Sequence, residues 1–257
     1  MNNLIIGHRG FVGSNLCRQI HGAIGAGRAE ISSLAGETFS DIYCAAPQAK
    51  KWWANQNPDQ DRQEVDNLIA ACRQLSCRGH FVLLSTVDVY DPPFGKTELD
   101  QPRLDAHPYG ANRYYLEQCI LQHFGSKAKV IRLPGLVGRG LKKNIIFDLL
   151  NNNNIEQINA NSAFQWFNLD LLGEALKFID QVDGPSVINA VSEPLPTADL
   201  VRAWFPQDLD RLNWKAPPVG YDIKTIHGKL DKPYFYSREE VLSRHLEPFI
   251  QAEGILR

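Results

Sequence analysis

One segment near the amino terminus limits the folds open to this chain more than any other. The short apolar run at residues 4–6 (LII) leads into the stretch GHRGFVG, and a helix-forming segment follows from about residue 11 to residue 21. Glycines at 7, 10 and 13 let the backbone approach a pyrophosphate, and the following helix offers unpaired N–H groups. The order strand, glycine loop, helix indicates a dinucleotide site. Taken alone, the glycines could equally form a tight turn that binds nothing.

Strand and helix signals continue to alternate as far as residue 190. The predicted strands are 23–26, 41–45, 80–85, 129–133 and 186–190, and the predicted helices are 64–75, 109–124 and 169–179. The run at 80–85 (HFVLLS) is continuously apolar, as is typical of a strand covered on both faces. This alternation predicts an α/β fold, a Rossmann-like doubly wound parallel sheet.

The local composition of the sequence changes after residue 134. GLVGRGLKKN is a basic glycine-rich loop, NNNN at 151–154 is a turn signal, and prolines with scattered aromatics dominate after residue 191. We therefore expect an NAD(P)-binding Rossmann domain from residues 1–137 plus 165–190. Residues 138–164 plus 191–257 are expected to form a small substrate-binding lobe.

Composition argues against several classes of function. The 27 basic and 29 acidic residues leave a net charge of −2, so no overall field attracts nucleic acid or anionic membrane. Apolar runs fall short of the roughly 18 residues of a spanning helix, and the amino terminus lacks signal-peptide features. The five cysteines form no CxxC pair, and the histidines show no metal-ligand spacing. We expect free thiols, no metal and a cytoplasmic protein.

Two arginines bear on which dinucleotide the loop would hold. NAD sites usually place an acidic residue about 20 residues beyond the loop to bind the ribose 2′-hydroxyl. Here that region reads AIGAGRAE and presents Arg28 before Glu30. Together with Arg9, Arg28 could hold a 2′-phosphate through charge-assisted hydrogen bonds. NADP(H) is favoured and NAD(H) stays open, because both arginines could also be solvated surface charges.

Six motifs in order resemble the extended short-chain dehydrogenase/reductase family, in its nucleotide-sugar epimerase, dehydratase and reductase group. They are GHRGFVG, CAAP at 44–47, Asn67, LLSTVDVY at 83–90, PYGANR at 108–113 and RLPGLVGRG at 132–140. The resemblance implies a set of cofactor-contacting residues: Gly7, Arg9, Gly10, Phe11, Val12, Gly13, Arg28, Ala45, Ala46, Pro47, Asn67, Ser85, Leu133 and Pro134. It also implies a homodimer formed through helix 109–124 and the helix before it.

The resemblance further assigns a reaction centre. Residues matching Thr86 and Tyr109 hydrogen-bond the reacting sugar oxygen, with the tyrosine as general acid/base. The family places a lysine four residues after the tyrosine, and this chain has Arg113 there. A guanidinium supplies the positive charge that favours a phenolate, but it cannot release a proton. Alternatively, Tyr109 is a partly buried aromatic and Arg113 pairs with Glu117, four residues further along the helix.

Other residues suggest a substrate site and a further chemistry. Asp88 occupies the position of an acidic base in sugar 4,6-dehydratases, although it could instead cap its own turn. Arg139, Lys142 and Lys143 suit the diphosphate of a nucleotide sugar, or they form a solvated basic loop. Three more candidates offer polar or aromatic contacts to the substrate, namely Asn144, Gln165 in FQWFN, and Trp53, for which core packing is the alternative.

These observations leave hypotheses from two classes. The first is an NAD(P)-dependent epimerase or reductase that acts on a nucleotide-linked sugar, with Tyr109 as general acid/base; a 4,6-dehydratase using Asp88 is its minor variant. The second is an NADP(H)-binding sensor or scaffold without turnover, which the replacement of the family lysine by Arg113 supports. Fold alone cannot separate them, because sites and not folds carry function.

Overall fold

A six-stranded parallel sheet forms the centre of the computed structural model, which describes residues 2–184, 186–228 and 232–253. In spatial order its strands are β11 (Ser186–Asn189), β7 (Ala128–Leu133), β6 (Phe81–Thr86), β4 (Ile42–Cys44), β1 (Leu4–Ile6) and β2 (Ile24–Ala26). The predicted fold class is confirmed. Because β1 has β2 on one side and β4 on the other, the strand order reverses there and a crevice opens at the carboxyl ends.

Helices cover both faces of this sheet. Packed on one face are α3 (Pro58–Cys72) and α4 (Pro108–Phe124), and on the other are α1 (Phe11–Cys17) and α6 (Leu172–Ile179). Strand β1 shows why. Leu4 and Ile6 pack into the core on the side of α3 and α4, whereas Ile5 packs into the core on the side of α1 and α6, and all three are fully buried. Alternate residues of a strand point to opposite faces, so a continuously apolar strand suits a sheet with two cores.

Helix boundaries differ from those predicted, most of all at two places, while α3 also ends at Cys72 and not at 75, and α6 begins at Leu172 and not at 169. Helix α1 ends at Cys17, not near residue 21, and α3 begins at Pro58, six residues before the predicted start at 64. Proline suits the first turn of a helix because its ring fixes φ and its missing N–H would have no partner there. Two aspartates in that turn, Asp59 and Asp61, face the positive end of the helix dipole.

Further short strands and helices lie outside the central sheet and its four covering helices. The remaining strands are β3 (Thr38–Phe39), β5 (Ser76–Cys77), β8 (Gly135–Val137), β9 (Ala163–Phe164), β10 (Trp166–Asn168) and β12 (Leu195–Pro196). The remaining helices are α2 (Lys51–Gln56), α5 (Ile145–Leu150), α7 (Thr197–Trp204), α8 (Arg238–Glu240) and α9 (Glu247–Ala252), with a π-helical turn at Val241–Leu246. Short 3-10 segments lie at Ile31–Leu34, Val87–Val89, Gly125–Lys127, Ile155–Gln157, Leu169–Leu171 and Pro206–Arg211.

A separate apolar core lies beneath the elements that follow β7 in the chain. It runs from Val137 on β8 through α5 and α7 to Ile250 on α9. The predicted division of the chain into a domain and a lobe stays a prediction, and its residues 1, 185, 229–231 and 254–257 lie outside the described residues. All five cysteines are free thiols. Within the described ranges, no helix is both long and apolar enough to cross a bilayer, and no cluster of three or more potential ligands could hold a metal ion.

Candidate active site

A cavity of 1320 Å³ follows the carboxyl ends of the central strands. Its wall begins at the glycine loop after β1, continues through 45–50 after β4 and 86–88 after β6, and reaches 134–145 after β7. Ligands of open α/β sheets bind outside the carboxyl ends of the strands where the strand order reverses. The cavity therefore lies where sheets with this strand order bind their ligands.

The glycine loop has the geometry that a dinucleotide cradle needs. Gly7 adopts φ of +82°, and a Cβ there would lie 2.7 Å from the carbonyl carbon of Ala45. A Cβ on Gly13 would lie 2.2 Å from the Gly7 oxygen, so this glycine lets α1 pack closely against the loop. Gly10 lines the cavity and begins α1 without a side chain in the way. Beside this loop, the small apolar residues 45–47 complete a surface that fits a dinucleotide.

Two ion pairs border the end of the cavity next to β2. Arg9 Nη2 lies 2.6 Å from Glu30 Oε1, and Arg28 Nη1 lies 2.6 Å from Glu64 Oε2. The Gly27 N–H donates to Glu30, which together with Arg9 lowers the pKa of that carboxyl. Both arginines are exposed and line the cavity. This end therefore offers guanidinium groups to a phosphate, and Glu30 to a ribose hydroxyl.

Three polar side chains meet next to Thr86, and two of them, Asp88 and Tyr221, line the cavity. Asp88 Oδ1 accepts hydrogen bonds from Lys51 Nζ at 2.7 Å and from the Tyr221 hydroxyl at 2.7 Å. Lys51 Nζ also lies 3.3 Å from the Tyr221 oxygen. We call Lys51, Asp88 and Tyr221 the central cluster. Because the Asp88 carboxylate reaches two distant residues, the alternative that it caps its own turn is wrong. Thr86 Oγ1 makes that cap instead, accepting from the Asp88 N–H.

Burial and charge keep the phenol of the central cluster protonated. Burial raises the pKa of Tyr221 well above its usual value, and the neighbouring Asp88 carboxylate raises it further. A phenolate beside a carboxylate would be repelled, whereas a neutral hydroxyl donates to it. Tyr221 is half-buried and contributes to the cavity wall. The cluster therefore presents a proton donor to the cavity.

Tyr109 and Arg113 lie in a different environment from the one predicted. Tyr109 is only 6% exposed, and burial raises its pKa to about 12 against the opposing charge of Arg113. The guanidinium carbon lies 4.6 Å from the centre of the Tyr109 ring, so the cation stays beside the phenol, and its N–H groups also have other acceptors. They donate to both carboxylate oxygens of Asp61, at 2.7 and 3.1 Å, and to the Gln48 carbonyl at 2.8 Å. Activation of Tyr109 by Arg113 therefore stays a prediction, and burial opposes it by favouring the neutral phenol.

The alternative partner for Arg113 is also wrong. Glu117 binds Arg132 on β7, with Nη2 to Oε2 at 2.5 Å, and it accepts a hydrogen bond from Ser85 on β6. Residues 113 and 117 share a helical spacing, but the two side chains lie in separate buried networks. Asp61 holds Arg113 on the side of α3, and Asn112 adds a third donor to the same carboxylate.

Comparison with known proteins places this geometry in a family. The model of the NAD dependent epimerase/dehydratase family matches residues 36–180, more than half of the chain. The chain belongs to this family. The resemblance read from the sequence motifs is thereby confirmed at the level of the family, although the matched region begins after the glycine loop. A sequence search of curated proteins gave no match.

Solved structures of this family's type share the fold. A dTDP-4-dehydrorhamnose reductase from Yersinia enterocolitica has a TM-score of 0.71 at 14% identity, covering 96% of this chain and 99% of that one. RMD from Pseudomonas aeruginosa, complexed with NADPH, has a TM-score of 0.65 at 18% identity, covering 86% and 87%. A UDP-glucose 4-epimerase from Thermotoga maritima, solved with UDP-glucose, has a TM-score of 0.64 at 14% identity, covering 94% and 92%.

Most of the predicted site residues line the cavity of this family member. They are Gly7, Arg9, Gly10, Phe11, Val12, Arg28, Ala45, Ala46, Pro47, Thr86, Asp88, Pro134, Arg139, Lys142, Lys143, Asn144 and Gln165. Among the described residues, those predicted for the site but absent from this wall are Gly13, Trp53, Asn67, Ser85, Tyr109, Arg113 and Leu133. Each has another contact. Ser85 donates to Glu117, Asn67 accepts from Gln63, and Leu133 is buried in the sheet core.

Several predicted substrate contacts prove to hold the wall together. Asn144 caps α5 by accepting from the Phe147 N–H and donates to the Leu136 carbonyl. Gln165 is buried and bonds both the N–H and the carbonyl of Ile223. Lys143 donates to the Ala49 carbonyl, and burial lowers its pKa. Of the paired tryptophans, the exposed Trp52 lines the cavity and Trp53 does not.

Two members of the central cluster escaped the sequence analysis. The sequence patterns do not single out Lys51, and Tyr221 lies 133 residues from Asp88 in a region without a motif. Sequence periodicity and residue spacing cannot reveal such a contact, because tertiary packing brings the two residues together. The only available signal was the carboxylate of Asp88, which needed a partner once buried.

Proposed function

We propose that this protein binds a nicotinamide dinucleotide in the cavity and exchanges a hydride with a nucleotide-linked sugar, as an epimerase or reductase does. One observation supports this above the others: a single cavity of 1320 Å³ joins the glycine loop to the basic loop past Thr86 and Asp88. Ligand sites commonly occupy about 300–1,000 Å³, so this space suits two ligands bound side by side. Family membership adds independent support.

The half of the cavity next to the glycine loop fits the dinucleotide. Gly7, Gly10 and the start of α1 would hold the pyrophosphate, because backbone can approach it there without side chains. We propose NADP(H) as the preferred form, since Arg9 and Arg28 flank the position of a 2′-phosphate. Glu30 would serve NAD(H) instead. When bound, the nicotinamide accepts or supplies the hydride.

The other half would take the nucleotide-linked sugar. Arg139, Lys142 and Lys143 line the wall there and offer positive charge to a diphosphate. Trp52 and Phe164 add aromatic surface on which a base or sugar ring can stack. Between the two halves, the Thr86 hydroxyl would hydrogen-bond the reacting sugar oxygen, as the family resemblance implies.

A proton must move to or from the same sugar oxygen. Tyr109 is the residue that the family pattern assigns to this role, and its assignment stays a prediction. Its buried phenol has a raised pKa of about 12, and the arginine beside it is bound to Asp61. Asp88 as the base of a 4,6-dehydratase is a further prediction, although Lys51 and Tyr221 already occupy one of its oxygens.

A second candidate function is a dinucleotide-binding sensor or scaffold that does not turn over a sugar. The buried Arg113–Asp61 pair favours it, because the Asp61 carboxylate balances the charge of the cation that lies beside the tyrosine of the family pattern. Such a protein would keep the glycine loop and the arginines but need no proton donor. The two candidates differ in one measurable property, which is the formation of product.

The test is a panel assay on the purified protein. UDP-, GDP- and dTDP-linked sugars are incubated with each form of NAD and NADP, while nicotinamide absorbance and the sugar products are both followed. We expect a changed sugar from at least one nucleotide class, and product analysis is essential because epimerisation gives no net absorbance change. Binding of NADPH without product from any sugar would favour the sensor and reject the enzyme.

A further inference from the structure

The central cluster contains a tyrosine that lines the cavity and a lysine beside it. We propose that Tyr221, held by Lys51 and Asp88, donates the proton to the carbonyl oxygen of the sugar. The family's tyrosine–lysine pair would then be rebuilt from α2 and the segment near residue 221. This inference rests on the proposed function and deepens it, because it names the proton donor and favours reduction of a keto sugar.

The distances suit a proton donor with a cation behind it. The Tyr221 oxygen lies 3.3 Å from Lys51 Nζ and 2.7 Å from Asp88 Oδ1. Asp88 and Tyr221 line the cavity together with Thr86, the expected hydrogen-bonding partner of the sugar oxygen. Both hydroxyls contact Asp88, Thr86 through the Asp88 N–H and Tyr221 through the carboxylate, so the proposal places the sugar carbonyl between them.

The backbone around Tyr221 is fixed from two sides, which keeps the phenol in place. Its N–H donates to the Ala163 carbonyl at 3.0 Å, and the next N–H, of Asp222, donates to the Pro93 carbonyl at 2.9 Å. Ile223 is clamped by the buried Gln165 side chain. Reacting groups held in position by the surrounding structure need no reorganisation during the reaction. Gln165 is thus a positioning residue for Tyr221.

The proposed step balances as follows. The carbonyl carbon gains a hydride from the reduced nicotinamide, and the carbonyl oxygen takes the proton as the Tyr221 O–H bond breaks. The product is an alcohol, the nicotinamide is oxidised, and a phenolate remains between the Asp88 carboxylate, which repels it, and the Lys51 ammonium, which stabilises it. Lys51 returns a proton to the phenolate and regains one from water, since its side chain is 40% exposed.

The first test compares tyrosine variants in the panel assay, with a 4-keto sugar nucleotide and NADPH as added substrates. Tyr221→Phe is expected to lower kcat by about 10²–10⁴-fold, while KM and NADPH affinity stay within about three-fold. The matched control is Tyr234→Phe, which removes a hydroxyl that donates to Asp222 outside the cavity wall. Its kcat should remain within about three-fold of the original.

The outcomes separate this inference from the proposed function. If Tyr221→Phe keeps its kcat while Tyr109→Phe loses it, the proposed function stands and Tyr221 is not the donor. If the unmodified protein turns over no sugar, the proposed function and the proton-donor role both fail. Lys51→Arg should retain more kcat than Lys51→Met, because only the first keeps a cation beside the phenolate.

A second readout does not depend on turnover. The protein is labelled with ¹³C at the ζ carbon of its 8 tyrosines, and the Tyr221 signal is assigned by its loss in Tyr221→Phe. We expect Asp88→Asn to shift this signal, since the substitution removes the charge that the hydroxyl faces. Adding NADP⁺ with UDP-glucose should shift it again. If the chemical shift of the Tyr221 signal is unchanged in Asp88→Asn, the cluster does not form in solution and the inference is overturned.

Discussion

Two basic residues near the same cavity are used in opposite ways. Arg113 is 3% exposed and gives its hydrogen bonds to Asp61 and Gln48, so its charge serves the packing of α4 against α3. Lys51 is 40% exposed and lies between a carboxylate and a phenol on the cavity wall. A cation fixed inside a protein stabilises structure, whereas one at a cavity stays available to chemistry. Position in a motif does not decide which of the two a residue becomes.

Removing the buried partner of Arg113 should have the largest effect. Asp61→Ala leaves an unpaired guanidinium in the interior, and breaking a buried pair in this way costs about 3–5 kcal/mol of unfolding free energy. Urea unfolding measures the loss. The matched control is Glu64→Ala, which removes the exposed partner of Arg28 and should cost about 1 kcal/mol or less. Equal losses in the two variants would remove the contrast between buried and exposed cations.

Replacing the arginine itself gives the next largest effect. Arg113→Lys keeps the charge but loses the two-pronged contact with Asp61, so we expect a loss of about 1–3 kcal/mol in unfolding free energy. We also expect no gain in kcat, although the substitution restores the lysine of the family pattern. An increase in kcat of about ten-fold or more would return Tyr109 to the centre of the mechanism.

Arg28 tests an exposed cation at the other end of the cavity. Arg28→Ala should weaken NADPH binding by about ten-fold, which is 1.4 kcal/mol, and leave NADH binding unchanged. Titration of dinucleotide fluorescence provides both dissociation constants. Arg18→Ala is the control, because Arg18 lies at the end of α1 and outside the cavity wall. Equal losses for both dinucleotides would argue against a 2′-phosphate site.

The smallest effect on stability is expected at Lys51. Its ion pair with Asp88 is partly solvated, with 40% and 21% of the two side chains exposed, so Lys51→Met should change unfolding free energy by about 1 kcal/mol or less. Thermal and urea unfolding would measure this. A loss comparable with that of Asp61→Ala would mean that Lys51 is structural as well, and the contrast between Arg113 and Lys51 would be wrong.

Local patterns predicted the sheet and the glycine loop well. The apolar runs at 4–6 and 80–85 are strands because neither face of the sheet meets water, and Gly7 is required by a φ of +82°. Such features depend on neighbours along the chain. The start of α3 at Pro58 was missed because the predicted apolar spacing begins only at residue 64.

The reaction centre was less predictable because its contacts join distant residues. Helical spacing suggested Glu117 as the partner of Arg113, but Asp61 lies 52 positions away and binds it instead. Ser85 follows the apolar run of β6, yet its hydroxyl faces α4 and Glu117, away from the cavity. Tyr221 carries no motif at all. Sequence motifs identified Asp88, Tyr109 and Arg113, whereas tertiary packing determines their partners.

A chain of hydrogen bonds connects the arginine at one end of the cavity with the buried arginine behind it. Arg28 binds Glu64, Glu64 accepts from the Gln48 amide, and the Gln48 carbonyl accepts from Arg113. A 2′-phosphate that draws Arg28 from Glu64 would alter the first link of this chain. Selection between the two dinucleotides would then be coupled to the packing of α4 against α3. The coupling would appear as non-additive changes in the free energy of NADPH binding when Arg28→Ala and Arg113→Lys are combined.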